Sequence, residues 1–223
     1  KTIPDLNPNL NIVIPTDFIS TLSKSSTITN SEEEKEALLD SSIILSCCPQ
    51  LDNLYIFPIV INMYTQTITE GTNENESTIF NTNLKIALEY CVQNNINVIS
   101  WSYCFSFSNY NFTDSNDNDF FQDYYDKLTI CIASGDFGGC TPNIDPCVKN
   151  VNYPSTSKYV LSCGGTQMST EQNNNYIKSS EMAWLNNGTK VGQRGSGGGG
   201  ISKQIISPQY QKNITGYSKR TVP

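Results

Sequence analysis

The chain has 223 residues, 37% of them hydrophobic and 10% aromatic, which is enough apolar material for a real core. Its net charge of -7 and pI near 4.6 repel phosphate backbones and anionic lipid, so nucleic acid and membrane surfaces are poor partners. It contains no histidine, which excludes a Ser-His-Asp triad, a Cys-His dyad and a His-rich zinc site; of the remaining proton-transfer groups, only carboxylates suit acid pH.

Taken in chain order, the sequence starts at Lys1 with neither Met nor an apolar leader, which suggests a processed product. "TNSEEEKEALLDSSIILSC" (29–47) predicts a helix: Asn30 or Ser31 can cap it, the acidic first turn complements the dipole, and Leu38, Leu39, Ile43 and Ile44 supply an inward face. A strand is expected in "NLYIFPIVI" (53–61), whose apolar stretch is too short for a bilayer span and is broken by Pro58. "STIFNTNLKIALEYCVQNN" (77–95) places Ile79, Leu84, Ala87, Leu88, Cys91 and Val92 close to helical spacing. Strand-like "NVISWSY" (97–103) follows, then a shorter amphipathic helix in "NDNDFFQDYYDKL" (116–128), then the buried-strand patterns "LTICIAS" (128–134) and "KYVLSCGG" (158–165). Asn- and Ser-rich stretches at 65–78, 106–118 and 169–180 read as exposed loops. Strands alternating with helices predict an α/β fold, a mainly parallel sheet with helices on both faces, in one domain over 1–223.

The eight cysteines (47, 48, 91, 104, 131, 140, 147 and 163) form no Cys-x-x-Cys pair, which disfavours zinc and leaves thiols or disulfides. Cys140 and Cys147 bracket the turn-rich "CTPNIDPC" and are the expected disulfide; Cys91, Cys104, Cys131 and Cys163 read as core thiols. Sequons at Asn75, Asn111, Asn187 and Asn213 are no more than an Asn- and Ser/Thr-rich chain yields by chance.

Three features could carry chemistry. "CIASGDFGG" (131–139) runs an apolar strand into an Asp bracketed by glycines, at the strand end where α/β sheets hold ligands, so Asp136 is either a turn cap or a working acid. Glu36 and Asp40 stand four apart on the first helix, close enough to resist double ionisation and share a proton, although "EEEKEALLD" also reads as a solvated acidic helix start. "RGSGGGGISK" (194–203) is either a bare backbone edge for a peptide or a flexible linker; its apolar flanks favour order, and it lacks the Gly-Lys-Ser/Thr ending of a phosphate loop.

In order, "EALLD", "VISWSY", "ASGDFGG", "YPSTSKYVLSCGGT", Trp184, "SGGGGIS", "SPQYQ" and "YSKRTVP" resemble the sedolisin family of serine-carboxyl peptidases, tripeptidyl peptidases included, from about residue 30 to residue 223. The resemblance implies a subtilisin-like fold. Glu36 would be the general base for a serine nucleophile, Asp40 would orient Glu36, and Asp136, protonated at acid pH, would donate to the oxyanion. Ser102 and Tyr103 on one side, and Ser196, Gly197, Gly198 and Gly199 on the other, would flank a peptide or protein substrate as added strands. Such an enzyme belongs in secreted fluid or a lysosome- or vacuole-like acidic compartment.

Three departures stand out. Cys104 occupies the place of the family's usual Gly and the Glu usual shortly after it is absent; the opening strand before residue 30 is much altered; and no Gly-Thr-Ser, the family's nucleophile motif, occurs in the chain. The resemblance therefore places the serine, and the family's calcium ligands, beyond Pro223, with residues 1–223 the N-terminal and central part of an incomplete domain. A catalytically inactive sedolisin-like binding or structural module is the competing reading.

Overall fold

β-Branched and aromatic runs become short strands in the computed structural model, which describes residues 5–15, 32–57, 76–103, 119–138, 151–171, 177–187 and 194–223. Two compact units divide the chain, Lys1–Tyr90 and Cys91–Pro223.

In the first unit, β1 (Asn11–Val13) pairs in parallel with β2 (Asn53–Tyr55), Ile12 opposite Leu54. The Asn7 side chain fixes the approach to that pair by donating to the Leu51 carbonyl (3.1 Å) and the Asp52 carboxylate (3.1 Å). Helix α1 (Glu32–Cys47) forms where the acidic run predicts it, but Leu38, Leu39 and Ile43 are 67%, 56% and 55% exposed, correcting the expected inward face. The reason is angular: at about 100° per residue, positions 38, 39, 43, 44 and 45 spread around the helix and form no single stripe. Helix α2 (Glu76–Gln93) has the stripe that α1 lacks, with Leu84, Ala87, Leu88 and Cys91 all buried. Tyr90 on this helix meets Tyr55 and Phe57 edge to face, at centroid separations of 6.3 and 5.6 Å.

The second unit is built on a parallel sheet of order β3-β4-β5, from β3 (Val98–Trp101), β4 (Thr129–Ala133) and β5 (Leu161–Cys163). Ile130 and Ile132 point into a core with Phe121, Leu128, Val151 and Val160. The opposite face carries Val98, Leu161 and the exposed Cys163, with Cys131 half-buried. The expectation of Cys163 in the core therefore fails: its side chain is exposed. Period-2 alternation gives the apolar run of β4 only one buried side.

Phe120–Asp123 form a single 3-10 turn rather than the longer helix expected at 116–128, because the Asp119 side chain caps it by accepting from the Phe121 amide and the chain then turns. The 169–180 stretch is not a loop throughout. β6 (Thr166–Glu171) and β7 (Ile177–Ala183) pair antiparallel with a bulge at Ser169/Thr170. β8 (Leu185–Asn187) pairs with β9 (Arg194–Ser196), and β10 (Gly200–Ile206) with β11 (Lys219–Val222), both antiparallel. Among the described residues, antiparallel pairs thus accompany the parallel sheet. Helix α3 (Gln209–Thr215) ends at Gly216, whose φ of 69° supplies the left-handed cap. So short a helix needs an anchor, and the Gln211 amide provides it by bonding both the Thr221 carbonyl (2.9 Å) and the Thr221 amide (3.1 Å).

Candidate active site

Parallel strands deliver their carboxyl ends to one rim, where loops can gather functional groups. Trp101, Ala133 and Cys163 end β3, β4 and β5, with Ala133 opposite Cys163, and the Ser134 amide closes the rim by donating to the Cys163 carbonyl at 2.8 Å. The chain then turns through Gly135, whose φ of 110° other residues resist. Asp136 follows, exposed, at the edge of a cleft of about 290 Å³ that Trp101, Ser102, Cys163, Trp184 and Gly197 also line.

Backbone hydrogen bonds stitch the loops around this cleft. Ser196 donates to the Asp136 carbonyl (2.9 Å) and accepts from the Gly138 amide (3.1 Å), gripping the turn from both sides. The Gly197 amide donates to the Trp184 carbonyl (3.1 Å), the Trp184 amide to Gly165 (3.0 Å), and the Gly198 amide to the Gly135 carbonyl. A Cβ on Gly198 would overlap the Ser134 carbonyl, so this strand-to-turn approach exists only because residue 198 has no side chain. The glycine run is therefore an ordered part of the rim. β9 stops at Ser196 and β10 resumes at Gly200, leaving Gly197–Gly199 as irregular backbone.

A buried polar layer lies beneath the rim. The Asn152 side chain donates to the Ser134 carbonyl (3.3 Å), the Ser155 hydroxyl to Asn152 (2.7 Å), and the Ser157 hydroxyl to the Asp119 carboxylate (2.7 Å). Burial pushes the Asp119 carboxyl above its ordinary value, outweighing the lowering by Ser157, the Phe121 amide and Lys158. Ser134 is thus held from below as well as alongside.

Against solved structures, the chain matches Pseudomonas sedolisin, described as a serine-carboxyl proteinase complexed with two molecules of pseudo-iodotyrostatin. The match has a TM-score of 0.65 at 20% identity, over 100% of this chain and 70% of that one. The fold is sedolisin-like. No family model matches the chain, and no curated protein matches it.

Within that fold the expected site residues separate into two groups. Ser102, Asp136, Ser196, Gly197, Gly198 and Gly199 belong to the second unit, and the cleft directly unites Ser102, Asp136 and Gly197, with Tyr103 next in chain after Ser102. Glu36 and Asp40 belong to the first unit, one turn apart on α1, Glu36 exposed and Asp40 half-buried. Cys104, Cys140 and Cys147, and with them the expected disulfide, lie outside the described residues. Among those residues no three His, Cys, Asp or Glu side chains gather to hold a metal ion. None of the described helices is long and apolar enough to cross a membrane. Sequence reasoning missed Asp119: within "NDNDFF" nothing separates it from neighbouring acids, and only its burial against Ser157 does.

Proposed function

We propose that the chain is the N-terminal and central part of an acid-acting serine-carboxyl peptidase. The observation carrying this reading is Asp136: a carboxyl group presented at the carboxyl end of the central parallel strand, its backbone locked to Ser196, on a cleft that Ser102 and Gly197 also line. The sedolisin-like fold supports it at the level of architecture. In this reading a serine on a segment beyond Pro223 attacks the scissile carbonyl, and Glu36, oriented by Asp40, takes its proton and returns it to the leaving amine. Protonated Asp136 donates to the oxygen that gains charge.

The test uses the full-length protein and a mixed peptide substrate at acid pH. Glu36→Gln and Asp136→Asn should each lower kcat by a factor on the order of 100 or more while far-UV circular dichroism is unchanged. Wild-type turnover in either variant sinks the assignment. A non-catalytic structural or protein-binding module is the second reading, motivated by Cys104 at the place of the family's usual Gly. A full-length sequence whose Gly-Thr-Ser serine is replaced would decide for it.

A further inference from the structure

The peptide that joins Ser134 to Gly135 decides where the chain carries Asp136. Gly135, at a φ of 110°, resists neither orientation of that peptide plane, because a residue without a Cβ turns either way at little cost. Asp136 is exposed, so its aim is inherited from this backbone rather than from packing of its own side chain. Around the turn, the Ser134 amide is held by the Cys163 carbonyl (2.8 Å), the Gly135 carbonyl by the Gly198 amide, the Asp136 carbonyl by the Ser196 amide (2.9 Å) and the Gly138 amide by the Ser196 carbonyl (3.1 Å), all main chain to main chain. The Ser134 carbonyl is held differently. It accepts from the side-chain amide of Asn152 (3.3 Å), 18 positions away in sequence.

Asparagine is mostly an exposed residue and in turns bonds its own nearby backbone, yet Asn152 is 8% exposed and its amide reaches another element. A carbonyl only accepts, so the group that faces it must be the Nδ2 donor. The main chain behind that donor is pinned: the Asn152 carbonyl accepts from the Ser155 hydroxyl (2.7 Å) and the Thr156 amide (3.2 Å), and Ser155, Thr156 and Ser157 are all fully buried. On the other side, Gly198 approaches so closely that a Cβ there would overlap the Ser134 carbonyl oxygen. The oxygen sits between a fixed donor and a close backbone, and withdrawing the donor leaves a buried acceptor unmatched.

We propose that Asn152 is a positioning residue for Asp136, fixing the Ser134–Gly135 peptide plane so that the carboxyl group stays at the edge of the cleft. Asn152 does not line that cleft, so it acts through Ser134 and touches no substrate. Its effect on catalysis rests on the peptidase reading; its effect on the turn does not. An oxyanion donor works in the transition state, so losing its aim lowers kcat and leaves KM nearly as it was.

The test is hydrogen exchange read by mass spectrometry on the full-length protein, with peptide-substrate kinetics on the same samples. Asn152→Ala should lower the protection of peptides covering 131–139 and 194–200 about tenfold while the β6–β7 ribbon keeps its wild-type protection. It should also lower kcat about tenfold with KM changed less than about twofold. Asn152→Asp supplies a readout that lost packing cannot imitate: its protonated carboxyl donates to the Ser134 carbonyl as the amide does, whereas its ionised form only repels it. That variant should match wild type at about pH 4 and behave like Asn152→Ala at about pH 8. Asp119, in the same buried layer, titrates in both proteins, so comparison with wild type at each pH cancels its contribution. Unchanged protection in Asn152→Ala, a loss spread equally through the ribbon, or an Asn152→Asp variant that behaves alike at both pH values overturns the role. A wild type without turnover sinks the peptidase reading instead, and exchange still decides whether Asn152 fixes the turn. Should Asn152→Ala fail to fold, the two pH values of Asn152→Asp carry the same decision.

Discussion

Replacing Gly198 by Ala tests whether the rim of the Asp136 cleft is built by backbone approach. The added Cβ would overlap the Ser134 carbonyl oxygen and lie 2.5 Å from its carbon and 2.9 Å from the Gly135 nitrogen. All three are main-chain atoms in a turn that the Cys163 carbonyl and the Asn152 side chain already fix, so no flexible side chain can yield. Relief requires the glycine segment to move away, breaking the Gly198-to-Gly135 bond and loosening Ser196 from Asp136. Two neutral hydrogen bonds at about 1 kcal/mol each, plus roughly 1–3 kcal/mol of overpacking, give a destabilisation of about 3–5 kcal/mol. Gly216→Ala is the control: its Cβ meets open space, and only the φ of 69° opposes it, at roughly 1–2 kcal/mol. The assay is urea unfolding followed by tryptophan fluorescence, which reports on this cleft because the chain's two tryptophans, Trp101 and Trp184, both line it. A Gly198→Ala midpoint no lower than that of Gly216→Ala would refute the argument that the close approach is structural.

Two other outcomes follow from buried groups. Burial raises the Asp119 carboxyl, so its contribution to stability is complete below the ordinary carboxylate value and is lost as pH rises through the folded value. The protein should therefore resist unfolding better toward acid, and Asp119→Asn, which still accepts from Ser157 or Phe121, should flatten that dependence. Parallel pH profiles of melting temperature in the two proteins would contradict the assignment. Cys91, buried on α2 with its thiol pushed up to about 11 by desolvation, should resist iodoacetamide at pH 8 in the native state while the exposed Cys163 is alkylated. Equal labelling of the two, read by peptide mass mapping, would contradict the burial of the α2 stripe.

What was legible in the sequence follows from where local signals and tertiary contacts agree. The β4 run "TICIA" and its exit at Ser134-Gly135 combine β-branched residues with a glycine at a positive φ, and both strand and turn sit where they are expected. The α2 stripe reads correctly because Leu84, Ala87, Leu88 and Cys91 fall on one side of a helix. The failures come from signals that composition hides. In α1 the hydrophobic count resembles that of α2, but the angles disperse it, so Leu38 and Leu39 are exposed. In 169–180 the polar composition says loop, while cross-strand pairing of Ser169–Glu171 with residues 177–180 makes a ribbon of its two ends. Composition tells how much can be buried; periodicity and partners decide which side is.

Asp136 and Arg220 show the same division in chemical terms. Asp136 announces itself because glycines on both sides narrow what the backbone can be doing, and the turn they permit is the one that carries a carboxyl group to the strand ends. Arg220 announces nothing: "KRTV" alternates as any edge strand does, and every second residue faces inward by register alone. That register buries Arg220 and Val222 together. A site made from main-chain geometry leaves glycines behind as a trace, whereas the burial of a charged residue such as Arg220 becomes visible only when its neighbours' positions are known.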